Sequence, residues 1–542
     1  MANSSNKNNS GILGKLTKKF SFTYLNPLSA LNKKPKFLFG TPPEIITGDI
    51  EVGHSILSGK FILGDQKRTF RNFSDLNNFN NENWLSHIYN FNWLKDLRIV
   101  SSVPARDLAR EYIKNWISSE DKTSKISWRA DVLGDRLTNW LTHFGFYSNN
   151  APQVFFDEIF LSISQQARYL NRQTMRSVEG SPRITALKGL IYCGVALPGF
   201  DKYLSKGQQY LELELNRQIF PDGGHYSRNP KIHTDVLLNI VSIHETFIAA
   251  HIEVPDWLSN TINRMSAILK TFRHSDGGLA YFNGSTFGDN KIIKSVLLKA
   301  TGKIQTVSSA PHSGFHRLSA NKTTILMDTG APPAESATKW GHAGSLSFEM
   351  TSGKDRIIVN CGASEDTTEA WKHALRSTAA HSTVVINDTN STKIDIEGGY
   401  LQNPGQVTSS RREIEGSSII EASYDGYLST FDLIHRRLIM LAPDGDEIQG
   451  EDNIIGSDDR RYTVRFHLHP NIQATILPSK NSVLLKPRKG IGWRFTCLDR
   501  KLALEESIYF DENGMRRRTL QIVIFGQVTN GGVSIKWGMS KI

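Results

Sequence analysis

Hydrophobic residues recur with a helical period from about residue 84 to residue 300. Apolar side chains three or four positions apart fall on one face of a helix. Five stripes of this kind occur in the segments 108–117, 137–144, 156–170, 236–248 and 258–272. Amphipathic helices in series, without a repeat of fixed length, predict helical hairpins that curve into a toroid or solenoid.

After about residue 310 the period of the hydrophobic pattern changes to two. In segment 461–469, Tyr462, Val464, Phe466 and Leu468 alternate with polar side chains, as in a strand with one buried face. Further short stretches with strand-forming composition occur at 325–328, 345–350, 356–360, 383–386, 418–422, 433–441, 482–485, 492–497 and 519–525. Many closely spaced strands without intervening helical patterns predict an antiparallel β-sandwich.

A chain of 542 residues is longer than one hydrophobic core usually supports, so we expect more than one domain. Residues 1–45 are rich in Asn, Ser, Lys and Pro, which predicts a loosely ordered arm. We place an α/α toroid domain at 46–305 and a β-sandwich domain at 306–542. The predicted fold class is therefore α+β and multidomain.

Positive charge predominates, with 64 Lys and Arg against 53 Asp and Glu, a net charge of +11 and a pI near 9.3. Such a balance favours an anionic partner: nucleic acid, acidic lipid or acidic glycan. The basic residues are spread along the chain, and no zinc-finger, RNP or P-loop spacing occurs, so we expect no nucleic-acid partner. Charge does not indicate the oligomeric state.

The cysteines and the N-terminal residues bear on the cellular compartment. Cys193, Cys361 and Cys497 are far apart and lack CxxC spacing, so we expect buried thiols without a disulfide or a structural zinc. No apolar segment of signal-peptide type precedes Phe37, and no transmembrane segment is evident. We expect a cytoplasmic protein, with a periplasmic location as the alternative.

Four sequence blocks carry a resemblance to a known family. They are Pro221-Asp-Gly-Gly-His-Tyr-Ser-Arg-Asn-Pro230, His274-Ser-Asp-Gly-Gly-Leu-Ala-Tyr-Phe-Asn-Gly284, Gly341-His-Ala-Gly-Ser-Leu-Ser-Phe-Glu-Met350 followed by Arg356-Ile-Ile-Val-Asn-Cys-Gly362, and Arg376-Ser-Thr-Ala-Ala-His-Ser-Thr-Val384. In this order they resemble the heparinase II/III family of polysaccharide lyases. The resemblance implies an incomplete α/α toroid followed by a stacked antiparallel β-sandwich.

The resemblance also implies β-elimination on an acidic, uronate-containing polysaccharide. In that reaction the C5 proton is removed, the C4–O glycosidic bond breaks and an unsaturated sugar forms. The site must neutralise the uronate carboxylate, hold a base near the proton and donate a proton to the leaving oxygen.

The first block offers His225 as a catalytic candidate and Arg228, Asn229 and His233 as substrate-binding candidates. A guanidinium has the fork geometry that a carboxylate accepts, and the Asn amide can add a hydrogen bond. The alternative for this loop is that Asn229 caps a helix beginning at Pro230 while His225 packs against the turn.

In the second block, Tyr281 lies close to where related lyases carry a catalytic tyrosine. A phenol near a cation can act as a base, or as an acid toward the leaving oxygen. The alternative is ordinary aromatic packing beside Phe282.

The third block departs from the His-Ala-His-Ala-Asp pattern of characterised lyases. The first His position holds Trp340, the second holds His342, the Asp position holds Gly344, and a later Asp position holds Asn360. Metal-containing relatives bind zinc through the second His, the Asp and a later His. Two histidines without a carboxylate make a poor zinc site, so we expect no metal cofactor. The loss of the first His also puts catalysis in question, although His342 stays a catalytic candidate.

The fourth block supplies Arg376 and His381 as substrate-binding candidates. His381 can orient His342 or face the substrate, and the alternative is a core histidine bonded to backbone groups.

Two functions follow from these residues. The first is a polysaccharide lyase acting on an acidic polysaccharide by β-elimination. The second is a non-catalytic protein on the same fold that binds acidic glycan or takes part in surface-polysaccharide assembly. The lyase is the predicted function, and the non-catalytic protein is the alternative. The departures at Trp340 and Gly344 and the lack of a visible signal peptide are the features that favour the alternative.

Overall fold

A computed structural model describes residues 35–64, 66–78, 81–119, 125–300, 304–333, 337, 341–364, 367–394, 404–529 and 531–542. The predicted arm lies mostly before residue 35, outside these residues. The chain forms two compact units: one runs up to Leu211 and includes Glu245–Glu253, and the other comprises Glu212–His244 and Val254–Ile542. The domain boundary proposed near residue 305 stays a prediction.

Helices predominate up to residue 299, as the period of the hydrophobic pattern predicts. They are α1 (Ile50–Leu57), α2 (Glu82–Tyr89), α3 (Leu94–Val100), α4 (Val103–Ser118), α5 (Ala130–Thr142), α6 (Phe144–Tyr147), α7 (Gln153–Gln173), α8 (Ser181–Ala196), α9 (Asp201–Gln218), α10 (Pro230–Ala249), α11 (Asp256–Thr271) and α12 (Asn290–Lys299), with a small hairpin of β1 (Lys60–Leu63) and β2 (Gln66–Thr69). Each of the five hydrophobic stripes overlaps one of these helices, and the stripe at 137–144 also extends from α5 to the first residue of α6. Within the described ranges, no helix is long and apolar enough to cross a bilayer.

Close packing in the first unit depends on small residues where two helices cross. Gly134 of α5 faces Gly189 of α8, and a Cβ added to Gly189 would lie 2.5 Å from the Cα of Gly134. The two backbones can approach this closely because neither position carries a side chain. Arg136, two residues beyond Gly134 in α5, is buried and donates from Nε to Gln166 Oε1 at 2.7 Å.

Strands predominate after residue 305 and form two antiparallel sheets in the second unit. They are β3 (Ser309–Ala310), β4 (Phe315–Ala320), β5 (Thr323–Asp328), β6 (Phe348–Ser352), β7 (Asp355–Val359), β8 (Val384–Ile386), β9 (Val407–Ile414), β10 (Ser417–Tyr424), β11 (Leu433–Leu441), β12 (Glu447–Gly456), β13 (Arg461–Leu468), β14 (Ile472–Ile476), β15 (Ser482–Pro487), β16 (Trp493–Thr496), β17 (Leu502–Phe510), β18 (Arg516–Gln527) and β19 (Val533–Lys541), with two short helices, α13 (Glu369–Arg376) and α14 (Leu428–Phe431). Every segment predicted as a strand overlaps one of them.

The two sheets stack face to face over one hydrophobic core. One has the order β14-β15-β16-β19-β12-β11-β10-β9, and the other β17-β18-β13-β7-β6-β5-β4-β3, with β8 also paired to β13. Phe348 of one sheet stacks on Trp537 of the other with ring centres 5.6 Å apart, and Phe466 contacts Phe495 at 4.8 Å. These contacts confirm the predicted antiparallel sandwich.

The three cysteines are free and buried, as predicted. Tyr462, Val464, Phe466 and Leu468 face the core, as the alternation in 461–469 predicts. The polar side chains on the opposite face of β13 are more buried than their polarity predicts.

Candidate functional site

A pair of histidines lies on the segments that precede β6 and β8. His342 Nδ1 lies 3.1 Å from His381 Nε2, and His381 Nδ1 lies 2.8 Å from the carbonyl oxygen of Ser377. Burial lowers the pKa of His381 to about 4 and that of His342 well below 6.5; His381 and Arg376 lower the latter further. Both rings are therefore neutral near pH 7.

The hydrogen bonds determine which ring nitrogens carry the protons. A carbonyl only accepts, so Nδ1 of His381 is protonated and its Nε2 is the acceptor. Nδ1 of His342 must then donate to it, which leaves Nε2 of His342 with a lone pair. No residue in the described ranges bonds to this atom, and His342 is 7% exposed. His342 therefore offers an oriented, unprotonated nitrogen, the property that a general base requires.

Two arginines hold the segments that carry the histidine pair. Arg376, the last residue of α13, donates from Nε to the carbonyl of Gly341 at 2.8 Å. Arg437 of β11 donates from Nη1 to the carbonyls of Leu346, at 2.8 Å, and Ser382, at 2.7 Å. Arg376 thus supports the loop bearing His342 from inside the protein, whereas its predicted role was substrate binding.

Arg228 is buried, and its guanidinium is engaged within the protein. Nε donates to the carbonyl of Ser313 at 2.8 Å, and Nη1 donates to that of Ala331 at 2.6 Å. Nη2 donates to the carbonyl of Gly314 at 3.1 Å and forms an ion pair with buried Asp328. The predicted contact with a uronate carboxylate is not available to Arg228 while these bonds are made.

Asn229 caps helix α10, the alternative weighed from the sequence. Its Oδ1 accepts from the backbone N–H groups of Lys231 at 2.8 Å and Ile232 at 3.0 Å, and its Nδ2 donates to the carbonyl of Asn283 at 2.8 Å. The side chain is buried, and both the oxygen and the nitrogen of its amide are hydrogen-bonded within the protein. The predicted role of Asn229 in substrate binding would require that these capping hydrogen bonds break.

Asn283, which sequence reasoning did not select, connects these elements. Its Nδ2 lies 3.3 Å from both the carbonyl of Arg228 and Asp328 Oδ2, and its Oδ1 accepts from the backbone N–H of His342 at 3.3 Å. The residue adopts a left-handed backbone with φ of 50°, which Asn tolerates better than most residues. Asn283 therefore joins the loop before α10 to the loop bearing His342.

His225 and His233, the other candidates of the first block, are enclosed. His225 bonds to Ser227 Oγ at 2.7 Å and Gln218 Oε1 at 3.1 Å, and burial lowers its pKa to about 3. His233 donates from Nε2 to the carbonyl of Met265 at 2.8 Å, and burial lowers its pKa to about 4. Both are packed as neutral core histidines and do not join the pair formed by His342 and His381.

Tyr281 lies in an aromatic stack beneath a buried cation. Its ring stacks on Tyr509 at 5.3 Å, and Arg356 Cζ lies 5.3 Å from the ring centre. The hydroxyl is enclosed and makes no hydrogen bond of good geometry with any described residue. Burial raises the pKa of Tyr281 well above 10, nearby Tyr509 raises it further and Arg356 opposes the rise. The phenol is therefore protonated near pH 7, so that, of the two predicted roles, it fits an acid toward the leaving oxygen and not a base.

An ionic network missed by sequence reasoning lies beside Tyr281. Arg356 donates from Nε to Asp276 Oδ2 at 2.7 Å and from Nη2 to the carbonyl of Leu279 at 3.0 Å. His274 Nε2 lies 2.8 Å from Glu349 Oε2. These residues stand within the quoted blocks, but only the folded chain shows that their charges meet.

The residues around the histidine pair do not fit a zinc ion. The two ring nitrogens bond directly to each other, and a Cβ added to Gly344 would lie 2.5 Å from His381 Cδ2, so a side chain there meets the ring. The Asn360 amide donates to the carbonyl of Tyr281 at 3.1 Å and accepts from Ser382 N–H at 2.9 Å. Trp340 lies outside the described residues. The expectation of no metal cofactor stays a prediction.

Comparison with known proteins gives the family. The heparinase II/III N-terminus model matches residues 66–305, and the heparinase II/III-like C-terminal model matches residues 304–538. FtsZ-localized protein C of Caulobacter vibrioides is 28% identical over 476 residues, which cover 84% of this chain and 81% of that protein.

Two solved structures illustrate the likeness in fold. Heparinase III superposes with a TM-score of 0.74 at 14% identity, covering 93% of this chain and 87% of that one. A heparan sulfate lyase from Pedobacter heparinus superposes with a TM-score of 0.64 at 17% identity, covering 97% and 88%. At this identity the likeness establishes the predicted toroid and sandwich fold. With both family models matched in chain order, the protein belongs to the heparinase II/III-like family.

Proposed function

We propose that this chain is a non-catalytic member of its family that localises with FtsZ by binding it. The observation that carries the non-catalytic part is the engagement of Arg228 with Asp328 and three backbone carbonyls. β-Elimination requires a group that neutralises the substrate carboxylate. A carboxylate would have to replace Asp328 at a buried guanidinium, which would leave the buried Asp328 without its ion-pair partner.

The state of Tyr281 supports the same proposal. A lyase tyrosine that acts as a base must lose its proton, and burial raises the pKa of Tyr281 well above 10. Its hydroxyl is enclosed, whereas a proton donor or acceptor must come within hydrogen-bonding reach of the substrate.

The association with FtsZ is proposed from the relative that shares most of its length with this chain. Its name describes a protein localised with FtsZ, and its 28% identity extends over 84% of this chain. Sequence identity to the two lyase structures described above is lower, at 14% and 17%. A cytoplasmic location, expected from the sequence, is part of this proposal.

Two measurements test the proposal together. The purified chain is sedimented with FtsZ filaments from the same organism, and it is incubated with a panel of uronate polymers while ultraviolet absorbance follows new C4=C5 double bonds. We expect co-sedimentation and no absorbance change. Failure to sediment with FtsZ would overturn the binding function, and unsaturated products would overturn the non-catalytic one.

A polysaccharide lyase is the second candidate, and His342 favours it. The bond from His381 leaves His342 Nε2 as a free, oriented acceptor, as abstraction of the C5 proton of an acidic polysaccharide requires. If this candidate is correct, the polymer panel gives unsaturated products, and His342→Ala abolishes them. His373→Ala, on the exposed face of α13, is the matched control and keeps the activity.

A further inference from the structure

The hairpin between β15 and β16 carries a cluster of cationic side chains that have no partner among the described residues. The side chains of Lys486, Arg488 and Lys489 are exposed, and none of the three forms an ion pair or a hydrogen bond with the part of the chain that the structure describes. Most other arginines discussed above are engaged by carboxylates or carbonyls. These three therefore present net positive charge at the surface.

Two exposed isoleucines lie at the same hairpin. Ile491 is 53% exposed and Ile542 is 61% exposed. The backbone N–H of Ile542 donates to the carbonyl of Gly492 at 3.1 Å, and a Cβ on Gly492 would lie 2.9 Å from Ile542 Cγ1. We call Lys486, Arg488, Lys489, Ile491 and Ile542 the hairpin patch. Exposed apolar side chains rimmed by polar groups are typical of surfaces that bind a partner.

The hairpin patch is mounted on a rigid part of the sandwich. β15 and β16 pair in register from Ser482 with Thr496 to Leu485 with Trp493, and the inward side chains of both strands are in the core. Pro487 restricts the backbone within the patch. A surface held in place in this way loses little conformational entropy when it binds.

The charge around the hairpin patch favours a protein over a lipid surface. Asp355, at the start of β7, lies against the tip of the hairpin, because a Cβ on Gly490 would be 2.2 Å from Asp355 Oδ2. An anionic bilayer presents one sign of charge and would repel this carboxylate. A protein can place a cation opposite Asp355 and carboxylates opposite the three cations.

We infer that the hairpin patch is a docking surface for an acidic protein segment that also carries apolar side chains. This inference rests on the proposed function, which makes FtsZ the protein that supplies the segment. The three cations pair with carboxylates of that segment, and Ile491 and Ile542 cover its apolar side chains.

Charge reversal tests the surface. The triple variant Lys486→Glu, Arg488→Glu, Lys489→Glu is compared with Lys322→Glu, Lys393→Glu, Arg518→Glu, which changes net charge equally at exposed positions elsewhere. Both are sedimented with FtsZ filaments over a salt series, and urea unfolding verifies that each is folded. We expect the hairpin variant to weaken binding by roughly tenfold or more and the control by less than about twofold, because three ion pairs of modest strength are reversed. Wild-type binding should weaken with salt.

The outcomes separate this inference from the proposed function. Wild-type binding that the hairpin variant retains overturns the surface and leaves the function intact. Absence of wild-type binding overturns both. In a parallel arm with phosphatidylglycerol vesicles, lipid binding that only the hairpin variant loses, with FtsZ binding unchanged, assigns the patch to lipid and overturns the inference. Ile491→Ser should weaken FtsZ binding without changing its salt dependence.

Discussion

At the scale of single residues, two neighbouring polar side chains in one loop have structural roles in the folded protein. Arg228 and Asn229 look equally suited to a carboxylate, yet the first pairs with Asp328 and the second caps α10. Buried polar groups are almost always hydrogen-bonded, and here the partners of both side chains are groups of the protein itself and not of a ligand. Arg228 also adopts a left-handed backbone with φ of 53°, which aims the residue inward at a cost that its bonds offset.

Arg228→Leu should lower the free energy of unfolding by about 3–5 kcal/mol, because it leaves the Asp328 carboxylate buried without its partner. Urea unfolding measures the change. The double variant Arg228→Leu, Asp328→Leu should recover part of the loss, since both charges are then absent. Unchanged stability in Arg228→Leu would contradict the structural role and return Arg228 to the list of substrate-binding groups.

Asn229→Ala should cost about 1 kcal/mol of stability, because two N–H groups at the start of α10 lose their acceptor. Asn229→Asp keeps the acceptor and should retain most of the capping contribution. Thermal and urea unfolding of the two variants compare them directly. Equal losses in both would mean that the bond from Nδ2 to Asn283, and not the cap, is the important one.

At the scale of elements, the loops before β6 and β8 decide what the histidine pair can do. Gly344 stands where the resemblance to characterised lyases predicts a metal-binding Asp, and the His381 ring lies directly against it. Arg437 ties both loops to β11 from within the core. The loops are therefore held with the two imidazoles in contact, and no space is left between them for an ion.

Gly344→Asp should lower stability by about 1–3 kcal/mol without creating a zinc site, because the added side chain meets the ring of His381. Zinc titration by calorimetry and urea unfolding measure the two effects. Gly145→Asp is the matched control, since a Cβ there has no neighbour within 4 Å. Zinc binding by Gly344→Asp at wild-type stability would show that the histidines can separate around a metal.

At the scale of the whole molecule, many histidines are buried in the neutral form. Burial lowers the pKa of His225 and His467 to about 3 and that of His233 and His381 to about 4. Each has a pKa near 6.5 when the chain is unfolded, so the unfolded state binds more protons below that pH. The contribution of these neutral rings to the free energy of unfolding is fully present well above pH 6.5. It is lost as the pH falls through 6.5 toward the pKa values of the rings in the folded protein.

The free energy of unfolding should therefore fall between pH 7.5 and pH 5.5, by about 1.4 kcal/mol for each buried neutral histidine. Urea titrations at the two values measure the fall. His225→Gln should reduce the difference by about that amount, and His373→Gln, at an exposed position, is the matched control. A stability that does not change over this range would contradict the neutral burial of these rings.

The pattern of hydrophobic positions by itself determined the order of helices and strands and the alternation that buries one face of β13. These depend on local period and on covering apolar surface, which a sequence displays. The four blocks were enough to place the chain in its family, because they preserve residue types in order along the chain.

Only the tertiary structure decided the fate of the individual polar side chains. Whether Arg228 is open to a ligand depends on Asp328, one hundred residues away, and whether Tyr281 can ionise depends on Tyr509 and the depth of burial. Asn283 became visible as a link only when its partners were brought together. Hydrogen bonds and desolvation act over a few ångströms in space, so distance along the chain does not reveal them.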